Sequence, residues 1–264
     1  MIVIGDLHLM EKRAKFAQTT DFFKWLNDQP EVKAEKNIVL LGDLFEVSSP
    51  AQSLVVFYLN MFTNVWKDKN IYILQGNHDF SFANNALDYF SFISNVKLIK
   101  EMVEIEIEDK KCLFLPYYDY EGTDKKPMHE AYSALSGNYD YIFAHVCDET
   151  QNFGKNFCDL KNVKGMKLFG HIHTPTIQKN GNYLGSAVKN SSTEKDDTKY
   201  LAHIYDNHCD FVKVPSFLEY ETVRFGEDPK TTNNNLLLNV LDAPTKADAI
   251  ILYETKYPKA RCNK

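Results

Sequence analysis

Five apolar runs in this chain each end in residues that bind protons and metal ions. They are "IVIGDLH" (2–8), "NIVLLGD" (37–43), "NIYILQGNHD" (70–79), "DYIFAHV", and "MKLFGHIH" (166–173). A short run of β-branched and aliphatic residues bounded by turn signals reads as a strand buried on both faces. Between the first three runs, "FAQTTDFFKWLND" (16–28) and "SLVVFYLNMFTNVW" (53–66) carry a helical period. The result is a βαβαβ pattern, which calls for parallel strands with helices packed on them. In such a sheet, the loops after the carboxyl ends of the strands gather at one edge, where ligand sites form. The pattern therefore predicts where chemistry is done.

From residue 97 the character changes. "VKLIK", "MVEIEIED" and "KCLFLPYY" follow one another closely, as an antiparallel or mixed second sheet would. "DYIFAHV" and "MKLFGHIH" read as two further core strands flanking an irregular polar segment. Two hairpins are expected, "TIQKNGNYLGS" turning at Asn180-Gly181 and "YLAHIYDNHCDFVKV" turning at Asp206-Asn207. The predicted fold is α/β (α+β): a two-layer β-sandwich of mixed sheets flanked by helices. A polar, Asn-rich interruption, "VPSFLEYETVRFGEDPKTTNNN" (214–235), separates a core of residues 1–215 from a short C-terminal extension, 216–264. With 264 residues, 44% of them hydrophobic, the chain can bury one sizeable core and a small appendage.

Charge and cysteine content narrow the function classes. Thirty Lys and Arg against 36 Asp and Glu give a net charge of -6 and a pI near 5.8, so no basic footprint marks a nucleic-acid or membrane surface. An anionic substrate would need local help, and bound metal ions supply it. Five cysteines, odd in number and without a CxxC pair, make neither a disulfide framework nor a thiolate zinc site. Met1 leads straight into a strand, and no stretch approaches the roughly 18 apolar residues of a membrane span. A cytoplasmic protein without a membrane partner is the expectation.

The candidate site residues are Asp6 and His8, Asp43, Asn77 with His78 and Asp79, His145, and His171 with His173. Five of the eight histidines fall at these strand ends; His129, His203 and His208 lack that context and read as structural. One such histidine alone is an ordinary hydrogen-bonded residue, whereas five motifs in order read as one cluster. Carboxylates, an amide oxygen and neutral imidazoles suit divalent manganese, iron or zinc, and about seven such ligands exceed what one ion can use. Two ions are implied. The i, i+2 spacing of "DLH" and "HIH" points both side chains of each pair the same way if the backbone stays extended. Gly5, Gly42, Gly76 and Gly170 each stand just before a candidate ligand, where backbone and metal must approach closely.

The ordered set D-x-H, G-D, G-N-H-D, H and G-H-x-H resembles that of the calcineurin-like metallophosphoesterases over roughly residues 1–190. The resemblance implies one metal held by Asp6, His8 and His173, and a second held by Asn77, His145 and His171, with Asp43 bridging them. His78 is then the unligated catalytic histidine, with Asp79 beside it in the same motif. Glu46, three residues after the bridging aspartate, is expected to accept a hydrogen bond from His78 and keep it protonated. The implied chemistry is hydrolysis of a phosphate ester by water activated between two divalent ions.

Local strings are most similar to the DNA-repair nucleases of the SbcD / Mre-eleven type: "GDLHLM", "GDLF", "GNHD", "FLPY" (114–117), "GHIHTP" and "YLGSAVKNSSTE". That likeness implies a manganese-dependent exo/endonuclease in DNA repair, recombination or phage DNA processing, with iron, zinc and magnesium as the other candidate ions. It also implies a DNA substrate and an ATPase partner of the SbcC / Rad-fifty type, and leaves a homodimer open. Two departures stand out. Only about 40–50 residues follow the core, where larger relatives carry a capping domain and a docking segment, and Glu46 replaces a histidine that bears on exonuclease activity in several of them. "GDLFE" and "GNHDF" also resemble the UDP-diacylglucosamine pyrophosphohydrolases, which have arginine in place of His78 and His-Gly-Asp where this chain has "AHVCD". A small-molecule or cyclic-nucleotide phosphodiesterase shares the ligand set. A non-catalytic scaffold would have lost a ligand, and none is lost.

Overall fold

The β-branched runs pair as strands because both of their faces find cover. In the computed structural model, which describes residues 1–81, 83–118, 126–147, 157–177, 181–194, 197–206, 208–230 and 235–262, four strands run parallel. They are Ile2–Ile4 (β1), Asn37–Leu40 (β2), Asn70–Leu74 (β3) and Val96–Ile99 (β4), in that spatial order. One face is covered by Arg13–Asp28 (α1), Pro30–Ala34 (α2) and Gln52–Asn60 (α3). Phe22, Phe23, Tyr58, Phe62, Trp66 and Phe90 fill that layer, burying large apolar areas at ring spacings of 5–6 Å.

The other face lies against a second sheet. Its strands are Val103–Ile107 (β5), Lys110–Leu115 (β6), Gly137–Ala144 (β7), Val163–Phe169 (β8), Thr176–Ile177 (β9) and Asn182–Tyr183 (β10), in the order β5-β6-β7-β8-β10-β9. β6, β7, β8 and β10 are parallel, with β5 and β9 antiparallel at the edges. Val3, Val39, Leu41 and Leu74 meet Phe114, Phe143 and Leu168 between the sheets. Met128–Ser133 (α4) covers the outer face of the second sheet through Tyr132. The fold is thus mixed α/β, with two mixed sheets flanked by helices, as the sequence predicts. No helix among the described residues is long and apolar enough to cross a membrane.

Lys199–Tyr205 (β11) and His208–Val214 (β12) form an antiparallel hairpin that extends the first sheet beside β1. β9 and β10 form the other expected hairpin. Asn180 and Asn207, at the two predicted turns, lie outside the described residues, as does 148–156 in the polar segment after His145.

Three expectations are corrected. "VKLIK" belongs to the first sheet rather than the second, because Val96 and Leu98 pack on the aromatic layer while Ile99 faces the second sheet. The helix read over 53–66 is α3 followed by a π turn, Met61–Val65, in which the Trp66 N–H reaches back to Met61 O at 2.8 Å. Within the polar interruption, Leu218–Arg224 is a strand (β13), parallel to Asn235–Leu241 (β14), which in turn pairs with Ala260–Cys262 (β15). Lys246–Lys256 (α5) packs on this small sheet through Ala249 and Tyr253, giving residues 218–262 an apolar centre of their own.

Candidate metal centre

The loops after β1, β2, β3, β7 and β8 meet at one edge of the sandwich. Leu7 and His8 donate their N–H groups to Asp43 O at 3.0 and 2.9 Å, His78 N–H to Asp43 Oδ1 at 2.8 Å, and Gly170 N–H to Ala144 O at 2.9 Å. His171 N–H bonds Asp6 Oδ2 at 2.9 Å. His8, Asp43 and His171 all have positive φ (45°, 47° and 78°), a region costly for residues with a Cβ and concentrated at functional sites. A Cβ on Gly42, itself at φ 104°, would lie 2.5 Å from His145 Nδ1, and one on Gly170 would lie 2.5 Å from Asp6 Oδ1. These glycines are required by crowding around the cluster.

All seven predicted ligands come together. Asp6 Oδ2 lies 3.9 Å from both His8 Nε2 and His173 Nε2, and those two nitrogens face each other at 2.9 Å. Beside them, Asn77 Oδ1 is 3.0 Å from His145 Nε2 and 2.9 Å from His171 Nδ1. Asp43 Oδ2 joins the groups, 3.5 Å from His8 Nε2 and 3.4 Å from His145 Nε2. Lone-pair donors aimed at one another repel unless a proton or a cation lies between them. Metal bonds of about 2.1 Å place neighbouring donors about 3 Å apart, so the set fits two divalent ions sharing Asp43.

Electrostatics follow from two acids and several imidazoles in a dry pocket. Burial alone would raise the Asp43 carboxyl, but His145, His8 and the His78 N–H outweigh it and hold Asp43 well below the usual carboxylate range. Burial and the Asp43 charge push Asp6 up, against the pull of His145 and His8. Burial disfavours charge on His145, yet Asp43 and Asp6 push it up to about 9. Burial, with His145 adding to it, lowers His171 to about 4, so its imidazole stays neutral.

The remaining predicted residues surround the cluster. His78 Nδ1 donates to the backbone carbonyl of Glu46 at 2.8 Å, leaving Nε2 for other work. The Glu46 carboxylate is not at His78: Oε2 lies 3.0 Å from His8 Nδ1, an ion-pair contact off the line of the N–H. Asp79 is fully buried with its oxygens 3.1 Å from the N–H groups of Phe45 and Gly76, which makes it a tie between loops and not a group facing the donors. His203, read as structural, lies 2.8 Å from Glu35 Oε1, far along β11. Sequence reasoning missed Glu194 as a site residue, although it closes the string "YLGSAVKNSSTE". Its buried carboxylate lies 3.2 Å from His173 Nδ1.

A two-sheet α/β sandwich with an Asp/His/Asn cluster at its strand ends defines a metallohydrolase scaffold. Residues 1–175 match the family of calcineurin-like phosphoesterases, and the chain belongs to that family. It is therefore of the metal-dependent phosphoester hydrolase class. No curated protein matches the chain significantly. Among solved structures, one described as a novel archaeal phosphodiesterase is 12% identical, with a TM-score of 0.44 over 81% of this chain and 99% of that one. A Vps29 variant from Entamoeba histolytica is 15% identical, with a TM-score of 0.37 over 81% and 99%. Vacuolar Protein Sorting 29 from Cryptosporidium parvum is 16% identical, with a TM-score of 0.38 over 80% and 94%.

Proposed function

We propose that this chain is a dinuclear metal-dependent phosphodiesterase that cuts DNA, a nuclease of the SbcD / Mre-eleven type. The observation that carries the proposal is the convergence of the seven donors in two groups joined by Asp43, with His78 close enough to His8 and Asp43 to share their space. Asp6, His8 and His173 would hold one ion, and Asn77, His145 and His171 the other. Two such ions activate water and offset charge on the phosphoryl oxygens. The residues of the chain do the rest. The Glu46 carbonyl fixes a hydrogen on His78 Nδ1, so Nε2 is the nitrogen left to carry the second proton of the imidazolium and pass it to the leaving oxygen. Asp43 Oδ1 takes the His78 N–H and so locks the base of that histidine to the bridging ligand.

DNA is favoured over a lipid-linked pyrophosphate by His78, where the pyrophosphohydrolases carry arginine, and by the strings shared with the nucleases. An acidic chain gains little DNA affinity from counterion release, which fits a subunit that leans on metals and an ATPase partner of the SbcC / Rad-fifty type. The test is incubation with manganese of linear duplex DNA, circular single-stranded DNA, bis-nitrophenyl phosphate and a lipid-linked pyrophosphate. Cleavage of DNA and of the generic diester is expected. Activity on the pyrophosphate alone would overturn the proposal, and activity on small diesters alone would remove DNA from it.

A further inference from the structure

His8 and His173 point their Nε2 atoms at one place, and each has a carboxylate behind its ring. Glu194, in the short turn Ser192–Glu194, is the better built of the two. Its Oε1 receives the His173 Nδ1 hydrogen and Ser191 Oγ, each at 3.2 Å. Its Oε2 accepts from Lys199 Nζ at 2.7 Å, Ser186 Oγ at 2.9 Å and the Asn190 N–H at 3.1 Å. Lys199 Nζ also donates to His173 O at 2.9 Å, so one buried ion pair grips both the ring and the backbone of that residue. A buried carboxylate is costly unless saturated, and saturation also immobilises it. Burial works against its charge, but His173 and Lys199 hold it well below the ordinary glutamate range.

The other trio is backed differently. His145 Nδ1 donates to a neutral carbonyl, Leu41 O, at 2.7 Å, with Asp6 Oδ1 farther off at 3.9 Å, and its companion ligand atom on Asn77 is an uncharged amide oxygen. Asp43 is common to both trios and cancels in the comparison. What remains is Asp6 and the carboxylate-bonded imidazole of His173, with His8 in looser contact with Glu46, on one side, against an amide oxygen and the carbonyl-bonded imidazole of His145 on the other. A carboxylate on the far nitrogen fixes the tautomer, orients the ring and raises its basicity, and losing one costs typically 10–100-fold in metal affinity.

We infer that Glu194, braced by Lys199, is a positioning residue that makes Asp6, His8 and His173 the tighter of two cation sites. The inference rests on the dinuclear reading above. Its test is a titration of Mn2+ into the metal-free full chain, with free Mn2+ read by electron paramagnetic resonance. Two binding classes are expected. In Glu194→Gln the tight class should weaken about 10–100-fold while the weak class stays in place. Because that variant strands the Lys199 cation, Glu194→Gln with Lys199→Met repeats the test without a buried unpaired charge. Unchanged binding in these variants, or equal weakening of both classes, would overturn the inference. One ion per chain in the unaltered protein would overturn the dinuclear reading instead.

Discussion

His8, Asp43 and His171 hold the left-handed backbone conformation that each costs about 1–3 kcal/mol, and each projects a donor atom into the cluster. The strain is tolerated because neighbouring loops fix these residues from both sides. Different jobs follow for residues in contact. His78→Ala should keep two metals per chain and lose hydrolysis by about 10²–10⁴-fold, since the role proposed for its side chain is proton transfer and not ligation. Asp43→Asn should lose metal first, because its Oδ2 stands between the two groups. Metal analysis beside bis-nitrophenyl phosphate hydrolysis separates the two, and equal metal loss would show the roles to be misassigned. The seven donors were legible because each stands at the end of an apolar run, five of them directly behind a small residue and His8 and His173 two positions beyond another donor. Glu194 was not, because it reaches His173 from a polar loop 21 residues on, and nothing local marks a carboxylate that folds back. For Glu46, spacing gave its place in the turn but not that its carboxylate would rotate to His8, with its carbonyl left to His78.

Between elements, the loops after β2 and β3 are joined by Asp79, whose carboxylate takes one backbone N–H from each. Buried amides without acceptors cost about 1–3 kcal/mol apiece. Asp79→Ala should therefore lower unfolding free energy by about 2–4 kcal/mol and loosen the Asp43 and His78 loops against each other. Urea unfolding of the metal-free protein measures the first effect, and an unaltered midpoint would show that water or local movement replaces the carboxylate. The strands themselves were readable as buried apolar runs, but sheet membership was not. Four residues such as β4 carry one face to each side and do not say which sheet they join. β13 escaped notice because "LEYETVR" is half polar, and its partner β14 begins 11 residues after it ends. The π turn after α3 differs from a helix by one residue in register, which lets Met61, Phe62 and Trp66 all reach the core.

Across the molecule, the C-terminal sheet meets the body on the first turns of α1. Lys15, only 6% exposed, donates its ammonium to Lys189 O at 2.6 Å and to Tyr220 OH on β13, while Lys189 pairs with Glu219 at 3.4 Å and Asn235 bonds Asp21 at 3.1 Å. α1 follows the His8 loop after four residues, so the cluster and the C-terminal unit share an anchor. Burial lowers Lys15 from its ordinary 10.5 to about 8, against the pull of Glu194. A cation depressed on folding contributes stability above the unfolded value, and loses it as pH falls through the folded one. Between about pH 8 and 10.5 the unfolded chain binds more protons, so stability from this group rises with pH, by on the order of 3 kcal/mol in all. Lys15→Met removes that slope. Urea unfolding across this range should show the unaltered protein gaining on the variant by about that amount, whereas parallel curves would mean Lys15 reaches solvent when the junction is closed.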